Sequence, residues 1–327
     1  MKVLVTGGAG YIGSHTVGLL RARGDQVVVL DTLELGYRQA LDDTPIVVGN
    51  TRDEDLVRKV LRQHGVEAVI HFAAYKAAGE SVGNPGKYFD NNVFGTLKLL
   101  EAMRQEGVKK FVFSSTAAVY GNPEVLPVVE TAALRPENPY GESKLQVERM
   151  LPWFDQAFGM KWVALRYFNA AGAVLDGRIG EDPRYASNLI PLVMKAATGR
   201  APTIKVFGTD YPTPDGTCIR DYIHVLDLAD AHLKALDFLA GGHSDIFNLG
   251  TGKGASVKEV LAAATAAAGK PIPTEFVDRR PGDPVSVWAD NAKARTLLKW
   301  TPKYGLPEIV ASAWKWHSTH PDGFRTA

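Results

Sequence analysis

An α/β fold built on a doubly wound parallel sheet is predicted here, with a smaller C-terminal α/β lobe beside it. Three observations predict this. Short β-branched runs alternate with helical patterns through the first half of the chain. A glycine-rich turn joins the first of these runs to a helix. The alternation then loosens near residue 170, where Gly and Pro become frequent (Gly172, Gly177, Gly180, Pro183, Pro202, Pro212, Pro214). Strands are expected at 2–6, 26–31, 46–48, 68–72, 110–114 and 162–167, with helices at 13–23, 53–64, 85–105 and 143–158. Strand–helix alternation of this kind implies a parallel sheet covered on both faces, closed by right-handed crossovers. Beyond residue 170, helices are expected at 188–198, 227–239, 257–268 and 291–298, with strands at 204–207, 246–249 and 275–277. A dinucleotide-binding unit thus spans 1–170, later segments being free to return to it, and 171–327 is mainly a substrate lobe. That lobe would roof the crevice beyond the carboxyl ends of the strands, where open α/β sheets bind ligands.

At 327 residues the chain can bury a sizeable core. A net charge of +1 without blocks of like charge argues against a nucleic-acid or membrane-surface partner. One cysteine, Cys218, excludes an intramolecular disulfide and suits a reducing compartment. The N-terminus enters an apolar strand pattern at once, and no apolar run reaches membrane-spanning length, so a cytoplasmic location is expected.

The first strand runs into Thr6-Gly7-Gly8-Ala9-Gly10-Tyr11-Ile12-Gly13. The pattern means little alone, but here it follows a strand and opens an apolar helix. Glycines without Cβ atoms let backbone N–H groups and a helix N-terminus approach a pyrophosphate. The second strand ends at Asp31, 18 residues beyond Gly13. Its carboxylate either accepts ribose hydroxyls or caps the following turn. It would repel a 2′-phosphate, which favours NAD over NADP. These features make the first unit Rossmann-type.

Tyr140-Gly141-Glu142-Ser143-Lys144 places a phenol and an amine one turn apart on one helix face. A free phenol, with pKa near 10, is a poor base at neutral pH. A cation within about 4–6 Å lowers it by roughly 1–3 units. Lys144 is expected to supply that charge, together with an oxidised nicotinamide. The phenolate would then remove a hydroxyl proton as hydride leaves for the cofactor. Ser114-Ser115-Thr116, at the end of the fifth strand, offers Thr116 as a hydrogen-bond partner for the reacting hydroxyl. The bland alternative is a solvated helical pair.

Nine stretches together resemble the UDP-glucose 4-epimerases of the extended short-chain dehydrogenase/reductase superfamily. They are VLVTGGAGYIGSHT from Val3, VIHFAAYKAAGES from Val69, DNNVFGTLKLLEAM from Asp90, FSSTAAVYG from Phe113, NPYGESKLQVE from Asn138, RYFNAAGA from Arg166, GEDP from Gly180, DGTCIRDYIHVLDLADAH from Asp215 and RRPGDP from Arg279. The resemblance covers nearly the whole chain. It implies Tyr140, Lys144 and Thr116 as the catalytic set. It implies a cofactor site of Gly7, Gly10, Tyr11, Ile12, Gly13, Asp31, Asn50, Thr51, Phe72, Ala73, Ala74, Lys76, Asn91, Ser114, Tyr140, Lys144 and Tyr167. Lys76, Thr116, Tyr140, Phe168, Asn169, Asn188, Leu189, Phe207, Arg220, Arg280 and Asp283 would hold the UDP-sugar. Two arginines suit a diphosphate and a carboxylate suits ribose hydroxyls. Arg220 could instead pair with the adjacent Asp221, and only one of Arg279 and Arg280 need face the ligand. A homodimer through helices 85–105 and 143–158 is also implied. Val93, Leu97, Leu100 and Met103 would form a buried stripe on the first, turned either to the partner or to the sheet.

Three departures stand out. Asn50 replaces the usual Asp facing the adenine, and the segment between Asp31 and Ile46 is short. Val287 stands where members restricted to non-acetylated sugars often carry Tyr, which leaves room for a carbon-2 acetamido group. The expected activity is reversible epimerisation at carbon 4 of a UDP-hexose. Pentose or uronate epimerisation remains open. Thr116-Ala117-Ala118 lacks the carboxylate that a sugar-nucleotide dehydratase or decarboxylase carries after strand five. An NAD-sensing interaction protein would tend to lose Tyr140 or Lys144. No metal is implied: His317 and His320 lack a third ligand, and His224 reads as a hydrogen-bonded core histidine. Trp314 and Trp316 are expected to pack a terminal helix.

Overall fold

The computed structural model describes residues 1–280 and 282–324; Pro281 of the RRPGDP run and residues 325–327 of the expected substrate lobe lie outside them. Seven strands form the central sheet: β1 (Lys2–Thr6), β2 (Gln26–Asp31), β3 (Ile46–Val48), β4 (Ala68–His71), β5 (Lys110–Ser114), β6 (Lys161–Tyr167) and β7 (Asp245–Leu249). Their order is β7-β6-β5-β4-β1-β2-β3, and every pairing is parallel. The order reverses between β1 and β4, the switch point at which such sheets bind ligands. Each strand is apolar on both sides because both faces are covered. Val3, Val5, Val27 and Val29 join one core, under the Tyr11–Ala22 and Val225–Ala240 helices. Leu4, Val28 and Leu30 join the other, under Glu54–His64, Gly95–Gln105 and Pro139–Phe158.

The expected elements are present, with ends shifted by a few residues. The 85–105 helix is the main exception. It is a continuous helical run with a π segment, Phe89–Phe94, between Pro85–Tyr88 and Gly95–Gln105. The wider turn serves the binding edge: Asn92 donates to the Tyr75 carbonyl at 3.0 Å and to Ser143 Oγ at 3.1 Å. Leu100 and Met103 are fully buried in the core against the sheet and Leu97 packs against it, whereas Val93 is half-buried outside that core.

The second lobe has its own core, in which Ile190, Val193 and Met194 of Leu189–Ala197 meet Val260 of Val257–Ala268 and Ile309 and Val310 of Leu306–Thr319. Helix Val225–Ala240 and β7 belong to the central sheet unit. Several short strands had no sequence signal. Asn169–Ala171 pairs with Tyr222–His224, and Ile219–Arg220 lies between Ala255–Ser256 and Ser286–Val287. Strands of two or three residues are too short to show alternation. Trp316 is buried and donates to the Glu181 carbonyl at 2.9 Å, while Trp314 packs more loosely on the lobe core. His224 is fully buried and bonded to Ser312 Oγ at 3.1 Å. Among the described residues, no helix is long and apolar enough to cross a membrane.

Candidate active site

A cleft opens along the carboxyl ends of β1, β2 and β4. At its floor the chain turns through Gly7, whose φ is +70°; a Cβ there would stand 2.5 Å from the Ala73 nitrogen. A Cβ on Gly13 would stand 2.3 Å from the Gly7 carbonyl oxygen. Only glycine permits this approach of turn, helix and neighbouring strand. The Tyr11–Ala22 helix starts at the cleft wall, and its free N–H groups suit a pyrophosphate.

Asp31 caps the turn that follows its strand, as one of its two expected roles has it. It lines the cleft, and its oxygens accept from the Ala9 and Leu33 amides at 3.0 and 2.9 Å. Burial raises its pKa, and these amides pull the other way. Asn50 also lines the cleft, where its carbonyl is engaged by the Arg52 amide at 2.9 Å. The glycine cradle, the helix terminus and the carboxylate at the second strand's end fit a dinucleotide.

Tyr140, Lys144 and Tyr167 line the same cleft. Asn138 caps their helix by accepting from the Gly141 amide at 2.9 Å, and Pro139 presets its first turn. Burial drives the Tyr140 phenol pKa up, reinforced by Tyr167 and opposed by a hydrogen bond with Thr116 and the charge of Lys76. Lys144 was expected to be the lowering charge. Its Nζ donates to the Ser114 carbonyl at 2.9 Å, and burial lowers its pKa to about 7 against the pull of Glu148. The helix sets both side chains on one face, and the Lys144 amine bonds the end of β5. Lys76 lies inside the cleft and pairs with Glu181 at 2.8 Å. Ser114 sits behind the cleft wall and donates to the Tyr167 hydroxyl at 3.0 Å.

The remaining expected ligands gather in the second lobe and around its junction with the sheet. Arg220 Nη2 lies 3.9 Å from Asp283 Oδ1. Asp221 does not pair with Arg220; its oxygens accept from Thr251, Gly252 and Ala289 amides at 2.8, 3.2 and 3.1 Å. The Arg280 guanidinium lies over the Phe207 ring at 4.3 Å, while Arg279 pairs with Asp210 at 2.7 Å. Asn169 Nδ2 donates to the Asp221 carbonyl at 3.0 Å. Asn188 and Leu189 open the Leu189–Ala197 helix. Phe168 and Val287 pack on a small cluster of Val119, Tyr120, Val128 and Leu145, beside Ala117. Among the described residues, no three metal-ligating side chains gather.

Residues 3–250 match the model of the NAD dependent epimerase/dehydratase family. The UDP-glucose 4-epimerase of Halalkalibacterium halodurans is 52% identical over 100% of this chain and 98% of its own. The chain belongs to this family, among its UDP-glucose 4-epimerases. Solved structures agree. The UDP-glucose 4-epimerase of Brucella ovis in complex with NAD superposes at TM-score 0.95 with 44% identity, over 97% of this chain and 98% of that one. That of Bifidobacterium longum in complex with NAD+ and UDP gives 0.93 and 41%, over 99% and 100%.

In this NAD-dependent epimerase the structure brings together along one cleft every residue expected at the cofactor except Ser114, which backs it. The sequence reading missed Glu181, Tyr37 and Phe324, which line the cleft opposite the sheet. Glu181 stood inside the quoted GEDP run, and its place near Lys76 was the missing information. Tyr37 and Phe324 stack at 5.1 Å across most of the chain's length, a contact no local pattern signals.

Proposed function

We propose that this epimerase inverts carbon 4 of a UDP-hexose, converting UDP-galactose to UDP-glucose and back through a 4-keto sugar. One observation carries the assignment of roles: Tyr140, bonded to Thr116 and faced by Lys76, stands on the wall of the cleft whose floor is the glycine turn. Tyr140 takes the proton of the carbon-4 hydroxyl, and Thr116 orients that oxygen. NAD held in the cleft would supply the hydride acceptor and donor and a positively charged ring. Without that charge burial keeps the phenol protonated, so Tyr140 becomes a base only in the loaded cleft. Arg220 and Arg280 hold the diphosphate while the 4-keto sugar turns, and Asp283 accepts from ribose hydroxyls. The site residues thus divide between a dinucleotide unit of 1–170, joined by 225–249, and a substrate lobe.

Val287 supports a wider sugar range. It packs on the same small cluster as Ala117 and Phe168, where a tyrosine would take up more room. Turnover of both UDP-galactose and UDP-N-acetylglucosamine, without added reductant, is expected. Full activity on the first with none on the second would remove the wider range; no turnover of any UDP-sugar would remove the whole reading. The enzyme would act as a cytoplasmic homodimer. Exposed Phe94, Trp153 and Phe158 on the 85–105 and Pro139–Phe158 helices support the pairing, which light scattering tests.

A further inference from the structure

The helix that carries Tyr140 and Lys144 has a third chemical group on the same face, Glu148, a further turn along. Glu148 is buried and does not line the cleft. Its carboxylate accepts a short hydrogen bond from Ser115 Oγ, 2.5 Å, and is clamped by Arg166 through Nη2 at 2.5 Å and Nε at 3.0 Å. Arg166 in turn donates to the Tyr120 hydroxyl at 2.8 Å, and that hydroxyl donates to Asn248 at 2.7 Å. Ser115 is the middle residue of the strand end that performs three tasks. Ser114 receives Lys144 and supports Tyr167, Ser115 grips Glu148, and Thr116 bonds the Tyr140 phenol.

We propose that Glu148 is a positioning residue, which through Ser115 sets the height of Thr116 and Ser114 against Tyr140 and Lys144. The physical reason is register. Tyr140 and Thr116 stand on different elements, a helix and a strand end. Backbone bonds hold each element internally but do not fix one against the other. Side chains crossing that gap must do so, and Ser115–Glu148 crosses it two helical turns behind the phenol. The carboxylate is held rigid by the fork of Arg166, so Ser115 is anchored to a fixed point rather than a mobile side chain. A buried ion pair adds little stability over an apolar pair of equal size but specifies one geometry. Here that geometry is the one in which Thr116 meets Tyr140. Misplacement of reacting groups by about 1 Å costs on the order of 100-fold in rate.

This inference rests on Tyr140 and Thr116 being the reacting pair, so the test separates the two. The variants are Ser115→Ala, which leaves Glu148–Arg166 intact, Ser115→Thr, which restores a hydroxyl, and Tyr120→Phe, which breaks the far side of the same network without touching Ser115. All are purified with bound NAD, and Tyr140→Phe is run alongside. In Ser115→Ala, kcat for UDP-galactose is expected to fall roughly 10–100-fold, with KM and NAD content unchanged and kcat partly regained in Ser115→Thr. Tyr120→Phe is expected to lower the melting temperature while kcat stays within about twofold of the parent. The proposal is overturned if Ser115→Ala keeps its kcat, or if both variants lose kcat in proportion to stability. Full activity in Tyr140→Phe would instead sink the catalytic reading itself.

Discussion

The cofactor cleft and the UDP-sugar lobe bind with different materials. The cleft is built from one continuous turn and the ends of parallel strands. Its glycines stand so close to backbone that no side chain fits, and Asp31 is held by backbone amides. The lobe instead draws Asn169, Asn188, Arg220, Arg280 and Asp283 from separate short segments. Its arginines are pre-engaged with protein partners, Arg220 with Asp283 and Arg280 with the Phe207 ring. A rigid site suits a cofactor that stays bound, and an adjustable one suits a substrate that must leave. In the proposed reaction the lobe would also hold the diphosphate while the sugar turns.

That contrast can be broken or sharpened by experiment. The largest effect is expected where the two regions meet. Tyr140→Phe should lose roughly 1000-fold in kcat while binding NAD and UDP as before, because only proton transfer is removed; kinetics and ligand titration together check this. In the rigid half, Gly13→Ala forces a methyl against the Gly7 carbonyl. It should destabilise the protein by about 3 kcal/mol and weaken NAD binding, as read by thermal unfolding with and without NAD. In the adjustable half, Arg280→Ala should raise KM for UDP-galactose about tenfold, the loss of a charge-assisted hydrogen bond, with little change in kcat or melting temperature. If Arg280→Ala unfolds the protein and Gly13→Ala does not, the contrast is wrong.

The smallest effect is shared by both regions. Burial first lowers the pKa of His15, His224, His232 and His317 to about 4, and that of His71 to about 3. Unfolded, each would take up a proton near the ordinary histidine pKa of about 6.5. Their contribution is therefore full above that pH and is lost as pH falls towards 4. Melting temperature should decline through this window, and His232→Gln should flatten the decline.

Legibility followed the same divide. The glycine turn, Asp31 and the Tyr140–Lys144 pair are local patterns, and the structure places all of them on one cleft. Most sheet strands were legible because their apolar runs are longer, and three-residue β3 because all its residues (Ile46, Val47, Val48) are β-branched. The three-residue strand Asn169–Ala171 and the two-residue pairings around Ile219–Arg220 were not, since their pairing is decided by distant chain. The electrostatics were only partly legible for a related reason. Helical spacing puts Lys144 on the Tyr140 face but does not say what its amine bonds; the structure gives it the Ser114 carbonyl.

Periodicity, glycine spacing and nine short motifs determined from sequence alone that this is a Rossmann-type α/β chain of the epimerase family. Those features are local, and local sterics and hydrogen bonding act within a few residues. Only the tertiary structure decided that Lys76 adds its charge beside the phenol, that Glu181 answers Lys76, and that Glu148 ties the helix to the end of β5. Each depends on packing between segments far apart in the chain, where burial sets both the partner and the charge.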